Sequence, residues 1–260
     1  MNLFDSHCHL QDERIYPLVA QIIQRALEKG VNGFLCCGSA ENDWEVVEQI
    51  SKTYNGVVPA FGVHPWYVKE RSENWKDILV EFLRRNPNAG IGEAGLDVMA
   101  DGFDTGVQET ILKEHLSLAA EFGRFINIHC RRAWEKLVDC LKQNRLSSPG
   151  IILHSYSGSA EMVPVLKEMG AYFSFSGSIT RPNNKRGRAA CKVVPPDRLL
   201  IETDSPDILP TDPALKDAQY NEPANLIYVV RCVAEIRGIT PEEAAKVTSE
   251  NAKKIIYNVK

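Results

Sequence analysis

The chain has 260 residues, a net charge of −4 and 44% hydrophobic residues. That length is close to the ~250 residues of one (β/α)₈ barrel, and the apolar content suffices for a sizeable core. The mild negative charge excludes global attraction to nucleic acid, so any phosphate-handling surface must be local.

Apolar runs and amphipathic segments alternate eight times along the chain. NLFDSH comes first, then YPLVAQIIQRALEKG, where Leu18, Ile22, Ala26 and Leu27 are expected on one helical face and Gly30 as the stop. VNGFLCCG precedes a helix expected near 41–54, VVPAFGVHP one at 74–86, and AGIGEAGLD one at 107–123. RFINIHC leads to 133–144, GIILHSYSG to 159–170, AYFSFSG to a basic segment near 183–191, and LLIETDSP to 222–238. A last helix at 240–258 opens with Thr-Pro-Glu-Glu, a helix cap with proline in the first turn.

Strand–helix alternation implies a parallel sheet buried on both faces. Eight units in this length favour a single (β/α)₈ TIM barrel occupying residues 1–260 as one domain. A dinucleotide-binding doubly wound sheet would want a glycine-rich turn after the first strand, and here that turn is His-Cys-His-Leu. Stretches 67–74, 98–106 and 206–221 read as long loops that follow strands, on the face where barrel enzymes place their sites.

The seven cysteines include no CxxC pair, and several lie inside apolar runs, as suits reduced, buried thiols. Cys8 and Cys130 adjoin histidines, but strand alternation points them the other way. The first residues lack a signal-peptide pattern, and no apolar run approaches the ~18 residues of a membrane span. A soluble, cytoplasmic protein is expected, with a nuclear setting as the other option.

The chemistry gathers at the ends of the apolar runs. His7 and His9 are two apart, so a strand points both imidazoles to one face, where they hold one metal ion. Glu93, in GEAGLD, is a carboxylate inside a barrel, costly unless paired or metal-bound, and its two oxygens suit a bridge between two cations. His129 and His154 end the fifth and sixth runs and serve a second metal that shares Glu93. Asp204 ends the eighth run, which barrel closure brings beside the first; it joins His7 and His9 and can take a proton from the attacking water. Asp97 either orders a ligand or caps its loop. His64 is read as a contact to substrate phosphate or leaving group, with a hydrogen-bonded structural role as the alternative, and His115, in a helical pattern, as structural. Arg131 and Arg132, and Arg181, Lys185, Arg186 and Arg188, suit phosphate at the mouth. Trp66, Tyr67, Trp134 and Tyr156 are candidates to stack bases or to serve as packing.

With these residues in view the chain resembles the TatD-like metal-dependent deoxyribonucleases of the amidohydrolase superfamily. DSHCHL at 5–10, GVHP at 62–65, GEAGLD at 92–97, HCRRAW at 129–134, HSYSG at 154–158, SGSIT at 176–180, ETDSP at 202–206 and NEPANL at 221–226 carry the resemblance over nearly the whole length. It implies a barrel with a divalent metal pair at its C-terminal mouth: His7, His9, Glu93 and Asp204 on one ion, and Glu93, His129 and His154 on the other. It implies hydrolysis of phosphodiester bonds in DNA, on ends or single strands, supported by Mg²⁺, with Zn²⁺ or Mn²⁺ as other occupants. No obligate protein partner is implied, and the oligomeric state is left open. The chain departs from the family at Val98-Met99-Ala100-Asp101, usually aromatic and basic, and at Asp207, often aromatic. Both changes touch the substrate rim. The rival enzymatic reading is an ester hydrolase such as a deacylase of misacylated aminoacyl-tRNA; the non-enzymatic one is a scaffold that has retained its ligands.

Overall fold

The computed structural model describes residues 1–99, 104–144 and 150–257. Within them lie eight strands: β1 Leu3–Cys8, β2 Val31–Cys37, β3 Val57–Phe61, β4 Gly90–Asp97, β5 Ile126–Arg131, β6 Ile151–Leu153, β7 Ala171–Phe175 and β8 Leu199–Ile201. Each pairs in parallel with the next, giving one sheet ordered β1 to β8. The helices are α1 Val19–Glu28, α2 Trp44–Thr53, α3 Trp75–Arg85, α4 Thr105–Phe122, α5 Trp134–Gln143, α6 Val163–Glu168, α7 Lys185–Val193, α8 Leu226–Arg237 and α9 Pro241–Ile256. The architecture is a nearly closed TIM barrel. Among the described residues, no helix is long and apolar enough to cross a membrane.

Alternation within the strands builds two apolar layers. Phe34, Val57, Ile151, Phe173, Leu199 and Ile201 face the helices; Leu35, Val58, Ile152, Tyr172 and Leu200, one position over, fill the bore with Phe4 and Phe125. Ala252, Ile255 and Ile256 of α9 join that inner cluster and close the floor of the barrel. Above this floor the bore turns polar: the hydroxyls of Ser6 and Ser174 lie 2.7 Å apart, and Asn127 is fully buried.

The seam between β8 and β1 is closed by bonds just beyond the strands. Asp204 N–H donates to the His7 carbonyl at 3.0 Å, and His9 N–H to the Ser205 carbonyl at 2.8 Å. The Asp5 carboxylate spans the same seam to Thr203. Asp5 therefore does not share the inward aim of His7 and His9.

Helix boundaries follow local chemistry. Thr240 and Glu243 form a capping box at α9 with proline in the first turn, and Asp104 accepts from Gly106 and Val107 at the start of α4. The expected face of the first helix needs correction. Ile22, Ile23 and Ala26 are buried, whereas Leu18 and Leu27 are exposed. Leu18 ends a 3₁₀ turn at Tyr16–Leu18, ahead of the α-helical spiral, and Leu27 is turned about 100° from Ala26. Residues 222–225 enter α8 through a 3₁₀ turn at Pro223–Asn225, and α6 likewise begins after a turn at Ala160–Met162. Residue 258, placed in the last helix, and Ala100 and Asp101 of the divergent stretch lie outside the described residues. All seven cysteines are free, and Cys8 turns outward to donate to the Leu35 carbonyl.

Candidate active site

Seven titratable side chains converge at the C-terminal mouth of the barrel. Glu93 is at their centre. It lies within β4 rather than at its end, because the strand runs on to Asp97 across an irregularity between Ile91 and Ala94. Gly92 lies inside that irregularity and Gly95 just after it: a Cβ on Gly95 would sit 1.9 Å from the His129 carbonyl oxygen, which only glycine avoids.

The two oxygens of Glu93 look to two different sets of nitrogens. Oε2 is 3.4 Å from His7 Nε2 and 3.3 Å from His9 Nε2. Asp204 Oδ1 lies 3.4 Å and 3.6 Å from the same two nitrogens, which are 3.0 Å from each other. Oε1 is 2.8 Å from both His129 Nδ1 and His154 Nε2, themselves 3.1 Å apart. Donors held by one ion at 2.0–2.2 Å stand about 3.0–3.6 Å from one another. The spacing here falls in or just under that interval, and histidine nitrogens with carboxylate oxygens suit hard and borderline divalent ions. The donor set therefore fits a metal.

The tautomers agree with this. Three imidazoles have one nitrogen taken up by an acceptor behind them, and a fourth, His154, only faces a carboxylate. His7 Nδ1 donates to Asn127 Oδ1 (2.9 Å), His9 Nδ1 to the Cys37 carbonyl (2.8 Å), and His129 Nε2 to Asp97 Oδ2 (3.1 Å). His154 Nδ1 faces Glu202 Oε1 at 3.4 Å. When the rings of His7, His9 and His129 are neutral, the other nitrogen of each has a lone pair aimed into the cluster.

His64 differs. Its Nδ1 accepts the Trp66 backbone N–H at 3.1 Å, so the ring proton is on Nε2, which points at Glu93 Oε1 from 3.3 Å. Although His64, Glu93 and His129 lie close enough to share an ion, this tautomer presents a proton rather than a lone pair. Burial holds the His64 pKa down to about 4, so the ring stays neutral.

Charge in the cluster is strongly coupled. Burial would raise Glu93, but the facing His154 and His7 and the bond from His129 hold it well below the usual carboxylate range. Asp204, likewise opposed by burial, is held far below its ordinary value by His7 and His9. Burial and the charge of His7 work against protonating His154, yet Glu93 and Glu202 raise it to about 9. Two ionised carboxylates in a buried site call for positive charge, and in the metal-free protein imidazole protons supply it. A divalent ion held by these side chains would take the place of those protons.

Asp97 has contacts to both His129 and its own loop. Oδ2 accepts from His129 and from the Trp66 indole N–H at 2.8 Å, while Oδ1 takes the Met99 backbone N–H at 2.7 Å. Arg131 is exposed at the end of β5, outside the cluster but on the strand parity of His129. Trp134 and Tyr156 are buried and pack edge to face, while Tyr67 is half-buried and Trp66 exposed. Arg181, Lys185 and Arg186 are exposed, and Arg188 is bound to the Ile179 carbonyl at 3.2 Å. Asp207 forms a bidentate rim pair with Arg14 at 2.8 and 3.0 Å. His115, fully buried, has both nitrogens on backbone groups, of Ile111 and Val63.

The supporting residues Asn127 and Glu202 were not singled out from sequence. Each left a signal: Asn127 is the lone polar residue between Phe125 and Ile128, and Glu202 directly follows the apolar Leu199–Ile201 run.

An eight-stranded parallel barrel with this mouth defines a metal-dependent hydrolase. The family model described as TatD related DNase matches residues 4–257, and the chain belongs to that family. It is 33% identical over 253 residues to an uncharacterized metal-dependent hydrolase, YabD, of Bacillus subtilis, covering 97% of this chain and 98% of that one. It is 29% identical over 255 residues to the 3'-5' ssDNA/RNA exonuclease TatD of Citrobacter koseri, covering 96% and 97%. Among solved structures, the Escherichia coli TatD homologue YjjV superposes with a TM-score of 0.91 at 27% identity, covering 97% of each chain.

Proposed function

We propose that the protein, acting as one catalytic domain, hydrolyses phosphodiester bonds in DNA at ends or in single strands, with two divalent ions at its mouth. The observation that carries this reading is the division of Glu93, one oxygen toward His7 and His9 and the other toward His129 and His154. Asp204 completes the first set. Its relative from Citrobacter koseri, an exonuclease on single-stranded DNA and RNA by name, supports the substrate class.

Divalent ions in these sets, Mg²⁺ foremost with Mn²⁺ or Zn²⁺ as alternatives, would supply a hydroxide nucleophile at neutral pH and offset charge on the phosphoryl oxygens. Asp204, beside His7 and His9 on the rim of the cluster, is the carboxylate placed to accept the proton of the attacking water. His64 offers its Nε2–H to a phosphoryl or leaving oxygen that comes to stand beside Glu93. Arg131 and its neighbour Arg132 meet the flanking phosphate. Seven free thiols accord with a reducing, cytoplasmic setting.

The test is a panel of labelled single-stranded DNA, duplex DNA, RNA and aminoacyl-tRNA, run after chelation and after adding back Mg²⁺, Mn²⁺ or Zn²⁺. Cleavage of single-stranded DNA that vanishes on chelation and returns with metal is the expected result. Deacylation of aminoacyl-tRNA without any phosphodiester cleavage would overturn the reading.

A further inference from the structure

The four tryptophans are unequally placed. Trp44, Trp75 and Trp134 are buried, at 0%, 6% and 8% exposure, whereas Trp66 is 53% exposed. An exposed indole is ordinarily mobile, but this one is fixed. Its Nε1–H is bound to Asp97 Oδ2 at 2.8 Å, its backbone N–H to His64 Nδ1 at 3.1 Å, and its ring meets His64 edge to face at 5.0 Å. Both anchors belong to the mouth. His64 is 3.3 Å from Glu93, and Asp97 also holds His129. The ring is thus positioned one imidazole away from the central carboxylate, with its polar atom satisfied and much of its surface open to water.

Its surroundings suit one kind of guest. Met99, 48% exposed, lies on the same rim with its sulfur 3.5 Å from Arg132 Nη1, and Arg131 is exposed beside it. A flat apolar face tied through Asp97 to Met99, which in turn touches Arg132, matches a nucleobase and a neighbouring phosphate.

We propose that Trp66 is the stacking platform for the nucleobase next to the scissile phosphodiester. The inference rests on the phosphodiesterase reading above and extends it. Stacking accepts any base, so the platform confers little sequence preference. It requires a base free of its own partner, so it favours single strands and frayed ends over intact duplex. Asp97 ties the platform to His129, which fixes the distance between the stacked base and the reacting centre.

Because the other three indoles are buried, a stacked base can quench only Trp66 by contact, and Trp66→Leu gives the background emission of the rest. The experiment titrates the full-length protein with a single-stranded oligonucleotide and with an abasic one of equal length, in EDTA and again with Ca²⁺. The expected result is saturable quenching by the natural strand and none by the abasic strand. Trp66→Leu should abolish the quenching and weaken binding of the natural strand about 5- to 150-fold, to the abasic level. Trp66→Phe, which keeps a ring but loses the indole N–H, should recover most of the affinity. If Trp66→Leu binds like wild type while wild type cleaves DNA, the platform is wrong and the phosphodiesterase reading survives. If wild type neither binds nor cleaves any oligonucleotide yet hydrolyses another ester, both fall. A dimer in sedimentation that Trp66→Leu converts to monomer would assign the indole to a second copy of the chain and overturn the proposal.

Discussion

Thr203 donates its backbone N–H at 2.9 Å and its hydroxyl at 2.5 Å to the two carboxylate oxygens of Asp5, a residue 198 positions earlier. The pair lies on the seam that brings His7 and Asp204 together, the place where a parallel barrel must join its first strand to its last. Burial pushes the Asp5 carboxyl up to about 7 in spite of those bonds.

Asp5→Ala leaves both Thr203 donors buried without an acceptor, at about 1–3 kcal/mol each. The expected outcome is a loss of about 2–4 kcal/mol in urea unfolding, with Asp5→Asn recovering part of it. An alanine variant that unfolds at the wild-type urea concentration would show that the seam does not depend on this pair.

Asp97→Asn turns one of two acceptor oxygens into a donor facing the N–H groups of His129 and Trp66. Supporting acceptors of this kind contribute about 10- to 100-fold to metal affinity. Titration calorimetry should register a loss of that size while circular dichroism stays unchanged. Unaltered affinity would mean that His129 needs no such support.

Gly95→Ala inserts a methyl group 1.9 Å from the His129 carbonyl oxygen at a backbone φ of +157°. Neither strand can yield without moving a cluster residue, so a destabilisation of about 2–4 kcal/mol is expected. Thermal unfolding and elemental analysis together should show a less stable protein with less bound metal. A variant equal to wild type in both would mean that β4 and β5 separate freely.

His115 gives the fold a pH dependence away from the active cluster. Burial holds its pKa down to about 4, only partly opposed by the bond to Ile111 and the charge of Glu114, against 6.5 for an ordinary imidazole. Between those values the unfolded chain takes up a proton that the folded chain refuses. Stability should therefore fall as pH drops from about 6.5 to about 4 and level off below, by up to about 3 kcal/mol for this group. Urea midpoints across that range should slope less in His115→Gln than in wild type; parallel slopes would assign the effect to other groups.

The barrel and the gathering of donors at its mouth were legible because both follow from period and position. Strand parity put His7 and His9 on one face, and alternation of runs put residues 93, 129, 154 and 204 at one end. What parity does not supply is the partner of each ring. Which nitrogen of His64 bears the proton depends on the Trp66 amide, a relation set by a turn rather than by spacing. The run through Asp97 was legible, but not its irregularity between Ile91 and Ala94, where Gly92 and then Gly95 permit close strand approach. Leu18 was misplaced for a similar reason: helical spacing says nothing about where the spiral begins.

The floor of the bore is laid by Ala252, Ile255 and Ile256, all later in the chain than the last member of the cluster. A nascent polypeptide therefore exposes its complete set of donors before it can seal the cylinder beneath them. Chain order thus separates the polar mouth from the greasy lower wall: a polypeptide shortened before α9 would keep every donor and leave Phe4, Leu35 and Ile152 without their cover.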